Sequence, residues 1–371
     1  MLLLLPGPVQ TRPEVRAAAA QDYAPWDNDF RVVYAEIRER VLAIAGGIPG
    51  EHATLPLQGC GHFLMEAALR TFVPPGGKVL IPQNGAYADR ALRLAREAGR
   101  QVVVLPGPDT RGVTAEEVAA ALAADPAIGH VAMVHNETGS GIVNDPAVIG
   151  PVVRAAGRRL ILDSVSAFGV LPLRLADHPE VDAVLFTSGK CLEGLPGIGF
   201  AVARVDRVTA AAGHAGSWSF DLSDVYQHAL RVGWGSFRFT PPVQALAAFR
   251  VALDLYEAEG GQVARLARYR ENARVLYDGV RALGLTPYLD WSEQGPVVIT
   301  VHQPADPAFA LQPCVDALKA RGVLISNFYN SRASSFRIGC IGAVTLEDMR
   351  RAVAAIDGAL EDLGVRRREM A

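Results

Sequence analysis

Three places in this 371-residue sequence gather residue types that do chemistry only in the right company. The first is Phe186 to Phe200, where Lys190 closes an apolar run and a glycine-rich turn leads into a second apolar run. A lysine at the end of a buried strand is partly desolvated, which lowers its pKa and makes its amine a usable nucleophile and proton carrier. The alternative is a solvated lysine in a surface turn, the commoner fate of this residue type. The glycines lead into a strand and not a helix, so neither a P-loop nor a dinucleotide fingerprint is met.

The second place is Asp163, the last residue of the apolar run Leu160 to Asp163. Ligands of open parallel sheets sit at that carboxyl edge. A carboxylate there can keep a pyridine nitrogen protonated and so make the ring an electron sink, or it can simply cap the next turn. The third is the glycine-containing turn Leu57 to His62, directly before a helical segment. Backbone N–H groups and the positive end of a helix would bind phosphate there without a basic side chain. Read alone, such a turn is also just a turn, and His62 is also a helix-start or core histidine.

These residues need a scaffold, and the sequence supplies an alternating one. A helix is expected from His62 to Phe72. Short apolar runs follow at Lys78 to Pro82, Gln101 to Leu105, His130 to Val134, Arg159 to Asp163, Ala183 to Phe186 and Gly199 to Ala203. Continuous apolar runs suit strands covered on both faces. Between them, Thr114 to Glu117 has the spacing of a capping box opening a helix to Ala124, and Asp145 to Ala156 reads as another helix. This is the rhythm of an α/β fold with a mostly parallel sheet. Beyond Pro241 and Pro242 the pattern changes to long helices, Val243 to Glu259 and Gln262 to Leu283. Strand-like Val297 to Val301, Val323 to Ser326 and Ser335 to Ile338 come next, then a helix opened by Thr345 to Asp348. The expected organisation is an N-terminal arm (1–15), a large domain (16–255) and a smaller α+β C-terminal domain (256–371), with no internal repeat.

Composition narrows the function classes. Half the residues are hydrophobic, 7% aromatic and 20% charged, as in folded globular chains of enzyme size. A net charge of −3 with scattered Lys and Arg gives no footprint for nucleic acid. The run Leu2 to Leu5 is stopped by Pro6, Gly7 and Pro8, so it reads as a buried arm and not a signal peptide. No stretch reaches the roughly 18 apolar residues of a membrane helix, and a cytoplasmic protein is expected. Cys60, Cys191, Cys314 and Cys340 show no metal-ligand or disulfide spacing, so no metal is expected.

Eight segments fall in the order found in class V aminotransferases: Leu5 to Pro8, Gln58 to Gly61, Asn84 to Tyr87, Met133 to Thr138, Asp163 to Gly169, Gly189 to Gly197, Phe237 to Pro241 and Phe336 to Gly342. The sequence resembles that family along nearly its whole length. The Lys190 and Phe336 to Gly342 segments are the most specific, the glycine loop the least. The resemblance implies a fold-type I enzyme that uses pyridoxal 5′-phosphate, carried as an imine on Lys190, with Asp163 on the ring nitrogen and Tyr87 stacked on the ring. It further implies that Cys60, Gly61 and His62 bind the phosphate, that Thr138 lies near the cofactor, and that Thr240 reaches the phosphate from a partner subunit. A homodimer with sites at the subunit interface follows from that last role. Arg337 matches the arginine that grips the substrate's acidic group, where a planar bidentate donor suits carboxylate and phosphonate. Gly7 matches a loop bordering the substrate pocket. His135 either contacts the ring or satisfies the strand end.

The implied reaction is transamination of 2-aminoethylphosphonate with pyruvate, giving phosphonoacetaldehyde and L-alanine. The alternatives are an alanine or serine aminotransferase using glyoxylate or pyruvate, a lyase or desulfurase of the same fold, and a silent ligand-binding relative. A desulfurase would want a nucleophilic cysteine in a mobile loop, and a silent relative would need neither Lys190 nor Asp163. Ser188-Gly189 stands where Ala-Asn is common in the branch most resembled, Gly139-Ser140 replaces a threonine pair, and Ser326 to Ser331 replaces a Tyr-Pro-Gly type of loop. These departures bear on the donor pocket and leave the cofactor residues in place.

Overall fold

In the computed structural model, which describes residues 1–366, the apolar runs become strands of one seven-stranded sheet. Its order is His52–Gln58, Ile198–Arg204, Val181–Thr187, Arg159–Asp163, Ile128–Val134, Lys78–Gln83 and Gln101–Pro106. Every neighbouring pair is parallel except those made by Ile198–Arg204, which runs antiparallel to both its neighbours. The expected Gly199 to Ala203 run is thus a strand of the sheet but not one of its parallel set. Its partner His52–Gln58 was not expected; Pro56 sits within it, tolerated because the strand is at the sheet edge.

Side chains alternate across each strand, and the two faces feed separate cores. Leu160, Leu162, Val184 and Phe186 join one core, with the helices Asn28–Ile44 and Val243–Glu259. Ile161, Ala183 and Leu185 join the other, under the helices Gly61–Phe72 and Ala86–Glu97. Asp163 shares the parity of Ile161, so alternation turns it toward the side of those last two helices. The capping boxes read at Thr114 and Thr345 both form, with Glu117 and Asp348 as reciprocal partners, and Asp145 caps Pro146–Ala155.

The chain reverses at Gly260, where φ is 110°, between Val243–Glu259 and Gly261–Ala282. A third core lies beyond it, around the antiparallel pair Val298–His302 and Ser335–Gly339 with the helices Leu311–Ala320 and Leu346–Asp362. Leu2 and Leu4 are buried in that core, and Leu2–Leu3 pairs in parallel with Val323–Leu324. The beginning of the chain is thereby pinned beside its last third. Of the expected Val323 to Ser326 run, only Val323–Leu324 is a strand. Residues 367–371, the end of the range expected for the smaller domain, lie outside the described residues. No described helix is long and apolar enough to cross a membrane, and among the described residues no cluster of His, Cys, Asp or Glu could hold a metal.

Candidate active site

A cavity of about 250 Å³ opens at the carboxyl edge of the sheet, and seven residues singled out in the sequence line it: Gly7, Cys60, Gly61, His62, Tyr87, Asp163 and Lys190. Asp163 ends its strand, and its Oδ1 accepts the Val165 N–H at 3.0 Å. One carboxylate oxygen therefore caps the turn, while the other has no hydrogen bond among the described residues. Burial raises Asp163 to about 6, against the Val165 N–H and the positive charges of Lys190 and Arg90. Near neutral pH it is mostly ionised.

Lys190 follows the strand Val181–Thr187 in a tight turn: the Glu193 N–H donates to the Lys190 carbonyl at 2.9 Å, and the Gly194 N–H to that of Ser188 at 2.9 Å. Its Nζ donates to the Pro6 carbonyl at 3.0 Å and pairs with no carboxylate among the described residues. Desolvation lowers it to about 8; Cys191 and Asp163 oppose that shift, and Arg337 and Arg90 reinforce it. The chain has only three lysines. Lys78 is ion-paired to Asp125 at 2.7 Å, and Lys319 is exposed on a helix, so of the three lysines it is Lys190 that lines the cavity.

Opposite the lysine, Gly61–Phe72 starts without a side-chain cap from Cys60. The N–H groups of Gly61 and His62 have no acceptor among the described residues, which leaves the positive helix end facing the cavity. A side chain at Gly61 would meet Val165 Cγ2 at 2.5 Å; glycine lets this helix start lie against the Asp163 turn. Tyr87 is the second residue of Ala86–Glu97, and the Arg90 guanidinium lies 4.7 Å from its ring centroid.

The described geometry is a half-buried amine held only by a backbone carbonyl, a carboxylate with one oxygen free of hydrogen bonds among the described residues, a flat aromatic ring and an uncapped helix start. A profile of the family Aminotransferase class-V matches residues 16–325. The chain belongs to the class V aminotransferases. Two curated relatives are named 2-aminoethylphosphonate–pyruvate transaminase. The one from Burkholderia ambifaria (strain MC40-6) is 46% identical over 98% of this chain and 96% of its own length. The one from Burkholderia thailandensis (strain ATCC 700388 / DSM 13276 / CCUG 48851 / CIP 106301 / E264) is 44% identical over 98% of each. Among solved structures, pyridoxamine–pyruvate aminotransferase from Mesorhizobium loti superposes with a TM-score of 0.89 at 26% identity, covering 99% of this chain and 93% of that one. Ureidoglycine–glyoxylate aminotransferase from Bacillus subtilis gives 0.88 at 25%, covering 99% and 94%. The fold is the fold-type I α/β arrangement of this aminotransferase family.

Four residues singled out in the sequence lie outside the cavity. Arg337, central in Ser335–Gly339 and only 3% exposed, lines an adjoining cavity of about 370 Å³ that also reaches Gly7. Its Nη1 donates to the Thr138 carbonyl at 3.1 Å, its guanidinium lies 4.8 Å from the Phe328 ring centroid, and its Nε has no hydrogen-bond partner among the described residues. No carboxylate among the described residues pairs with it. Thr138 is buried and donates from Oγ1 to Ser166 Oγ at 2.8 Å. Thr240 is exposed, next to Phe239, whose φ is 70°. His135 satisfies the strand end: its Nδ1 meets Ser164 Oγ at 2.9 Å, and its N–H donates to the Asp163 carbonyl at 2.8 Å.

Sequence reasoning passed over Arg90 and Glu137. Arg90 lies three residues after Tyr87 on one helix, a spacing that puts both on one face. Glu137 is fully buried, and burial raises it to about 7 against the N–H groups of Gly139, Tyr87 and Ala88. Its Oε2 accepts the Tyr87 N–H at 3.0 Å, which caps the helix that presents the ring.

Proposed function

We propose that this class V aminotransferase transfers the amino group of 2-aminoethylphosphonate to pyruvate, giving phosphonoacetaldehyde and L-alanine, with pyridoxal 5′-phosphate held on Lys190. The names of the relatives support the substrates. The observation that carries the cofactor is the pairing of a partly neutral amine and a buried carboxylate in one cavity, with an uncapped helix start beside them. These residues fit the group: Asp163 for the ring nitrogen, Gly61 and His62 with Cys60 for the phosphate, Tyr87 for the ring face, and Thr138 nearby. When bound, the cofactor supplies an electron sink for the carbon that carries the amino group.

The chain's own residues do the rest. Lys190 Nζ takes and returns the proton at that carbon, which a pKa near neutrality suits. Asp163, ionised above about 6, holds a positive ring nitrogen by charge. Arg337 orients the acidic end of either substrate through a planar fork suited to phosphonate or carboxylate, and Gly7 borders both cavities without a side chain. Fixing the acid and the amine on one rigid frame removes the entropy cost of bringing them together.

The working unit in this reading is a cytoplasmic homodimer in which Thr240 completes the phosphate site of the partner subunit. The exposed Trp218 and Phe239, in edge contact 5.0 Å apart, support a surface meant to be covered. The arm, large domain and smaller domain divide at 15/16 and 255/256. Cys314 and Cys340 are enclosed, and burial raises both thiols, so neither suits the mobile nucleophile that a desulfurase would want.

The test is single-turnover mixing of the cofactor-loaded protein with aminoethylphosphonate, alanine or serine, read as loss of the cofactor's visible band. Consumption by aminoethylphosphonate and alanine is expected. An inert aminoethylphosphonate with active alanine or serine would instead favour a carboxylate-only enzyme.

A further inference from the structure

Beside the lysine lies a buried charged cluster that the chemistry above does not use. Glu193, three residues beyond Lys190, is 3% exposed and sits at φ 58°. That left-handed backbone is one that glycine takes without steric cost and other residues seldom adopt. Residues held so persist where their surroundings over-determine them.

The surroundings here come from one face of Gly261–Ala282. Glu193 Oε1 accepts the Tyr269 hydroxyl at 2.6 Å and Arg268 Nη2 at 2.6 Å, with Arg265 Nη1 at 3.5 Å. Arg265 Nη1 also donates to the Cys191 carbonyl at 2.6 Å. Glu259 meets Arg265 Nη2 and Arg268 Nε, each at 2.8 Å, so two carboxylates balance two guanidiniums. The same helix then reaches the other half of the site. Tyr269 Oη accepts the Gly342 N–H at 3.0 Å, and Arg268 Nη1 donates to the Gly342 carbonyl at 2.8 Å. Gly342 lies three residues past the strand that carries Arg337. A short series of charge-assisted hydrogen bonds therefore joins the turn of Lys190 to the strand of Arg337.

We propose that Glu193 is a positioning residue which, through Tyr269 and Arg268, fixes the Lys190 amine relative to Arg337, so that an acid held by Arg337 presents its reacting carbon to Nζ. This rests on the roles given above to Lys190 and Arg337. The backbone does not explain the residue, because glycine would serve the turn better; the side chain does.

Two variants of the cofactor-loaded enzyme separate these requirements. Glu193→Gly keeps the turn and removes the clasp, and Glu193→Gln keeps the shape and an acceptor but drops the charge. For Glu193→Gly, kcat should fall on the order of 100-fold, the scale of a roughly 1 Å misplacement, while KM and cofactor affinity stay within about threefold. Its bound-cofactor circular dichroism should weaken. Glu193→Gln should recover about tenfold of the lost rate. Wild-type kcat and dichroism in Glu193→Gly overturn the proposal, and so does a lowered Tm with unchanged kcat. If Glu193→Gly does not fold, Glu193→Gln decides: a kcat loss of about tenfold at constant KM supports the clasp, and wild-type kinetics overturn it. A wild-type protein with no cofactor band sinks the reading of Lys190 itself, and this proposal with it. A normal band with a normal Glu193→Gly sinks this proposal alone.

Discussion

Cofactor uptake by the empty protein should titrate with Lys190, because only a neutral amine attacks an aldehyde. Burial brings this lysine from 10.5 to about 8. The difference, 10.5 minus 8, makes its neutral fraction at pH 7 about 300 times that of an ordinary lysine, roughly one in ten against one in 3,000. From pH 7 to pH 9 that fraction climbs from about 10% to about 90%, so the uptake rate constant should rise about ninefold and level off, half-maximal near 8. Rapid mixing of cofactor-free protein with pyridoxal 5′-phosphate at fixed ionic strength, followed by the visible band, measures it. The charges around the amine give signs as well. Asp163→Asn removes a negative charge that raises Lys190 and should move the midpoint to lower pH. Arg337→Gln removes a positive charge that lowers it and should move the midpoint up. A rate still climbing steeply beyond about pH 10, or both variants shifting in one direction, would refute the desolvation argument.

Asp163→Asn should also lower kcat by about 10- to 100-fold, the worth of one hydrogen bond to a charged group. Its amide oxygen can still accept the Val165 N–H, so circular dichroism in the far ultraviolet should match the parent; a kcat within twofold of wild type would remove Asp163 from the chemistry. Gly7→Ala puts a Cβ 2.3 Å from Lys190 Nζ at a backbone φ of 149°. Displacement of the amine should slow cofactor uptake at least about tenfold, and unchanged uptake kinetics would mean that the arm yields freely.

The scaffold was legible where one physical signal dominated. Apolar runs such as Leu160 to Asp163 can only be covered strands, and the Thr114 and Thr345 boxes announce helix starts through their own hydrogen bonds. The strand His52–Gln58 was missed because Pro56 argues against a strand, and only its place at the edge overrides that. Ile198–Arg204 looks like any buried strand; its direction is set by the short turn after Lys190, too short for a parallel crossover. Among site residues, Lys190, Asp163 and the Gly59 to His62 turn were readable from their positions at strand and helix ends. Arg90 was readable in principle from its helical spacing to Tyr87. Glu137 and Glu193 were not: each is defined by partners distant in sequence, and a glutamate in a turn carries no local mark of burial. Arg337 was read from the family resemblance, but its lining of a second cavity, which Gly7 also lines, depends on how the Leu5 to Pro8 segment folds beside it.

The most direct measurement is to reduce the cofactor onto the protein with borohydride, digest it, and locate the label by mass spectrometry. With three lysines in the chain, the outcome is sharp. The label should appear on the peptide containing Lys190 and nowhere else. A label on Lys78 or Lys319, or none after saturation with pyridoxal 5′-phosphate, would contradict the account.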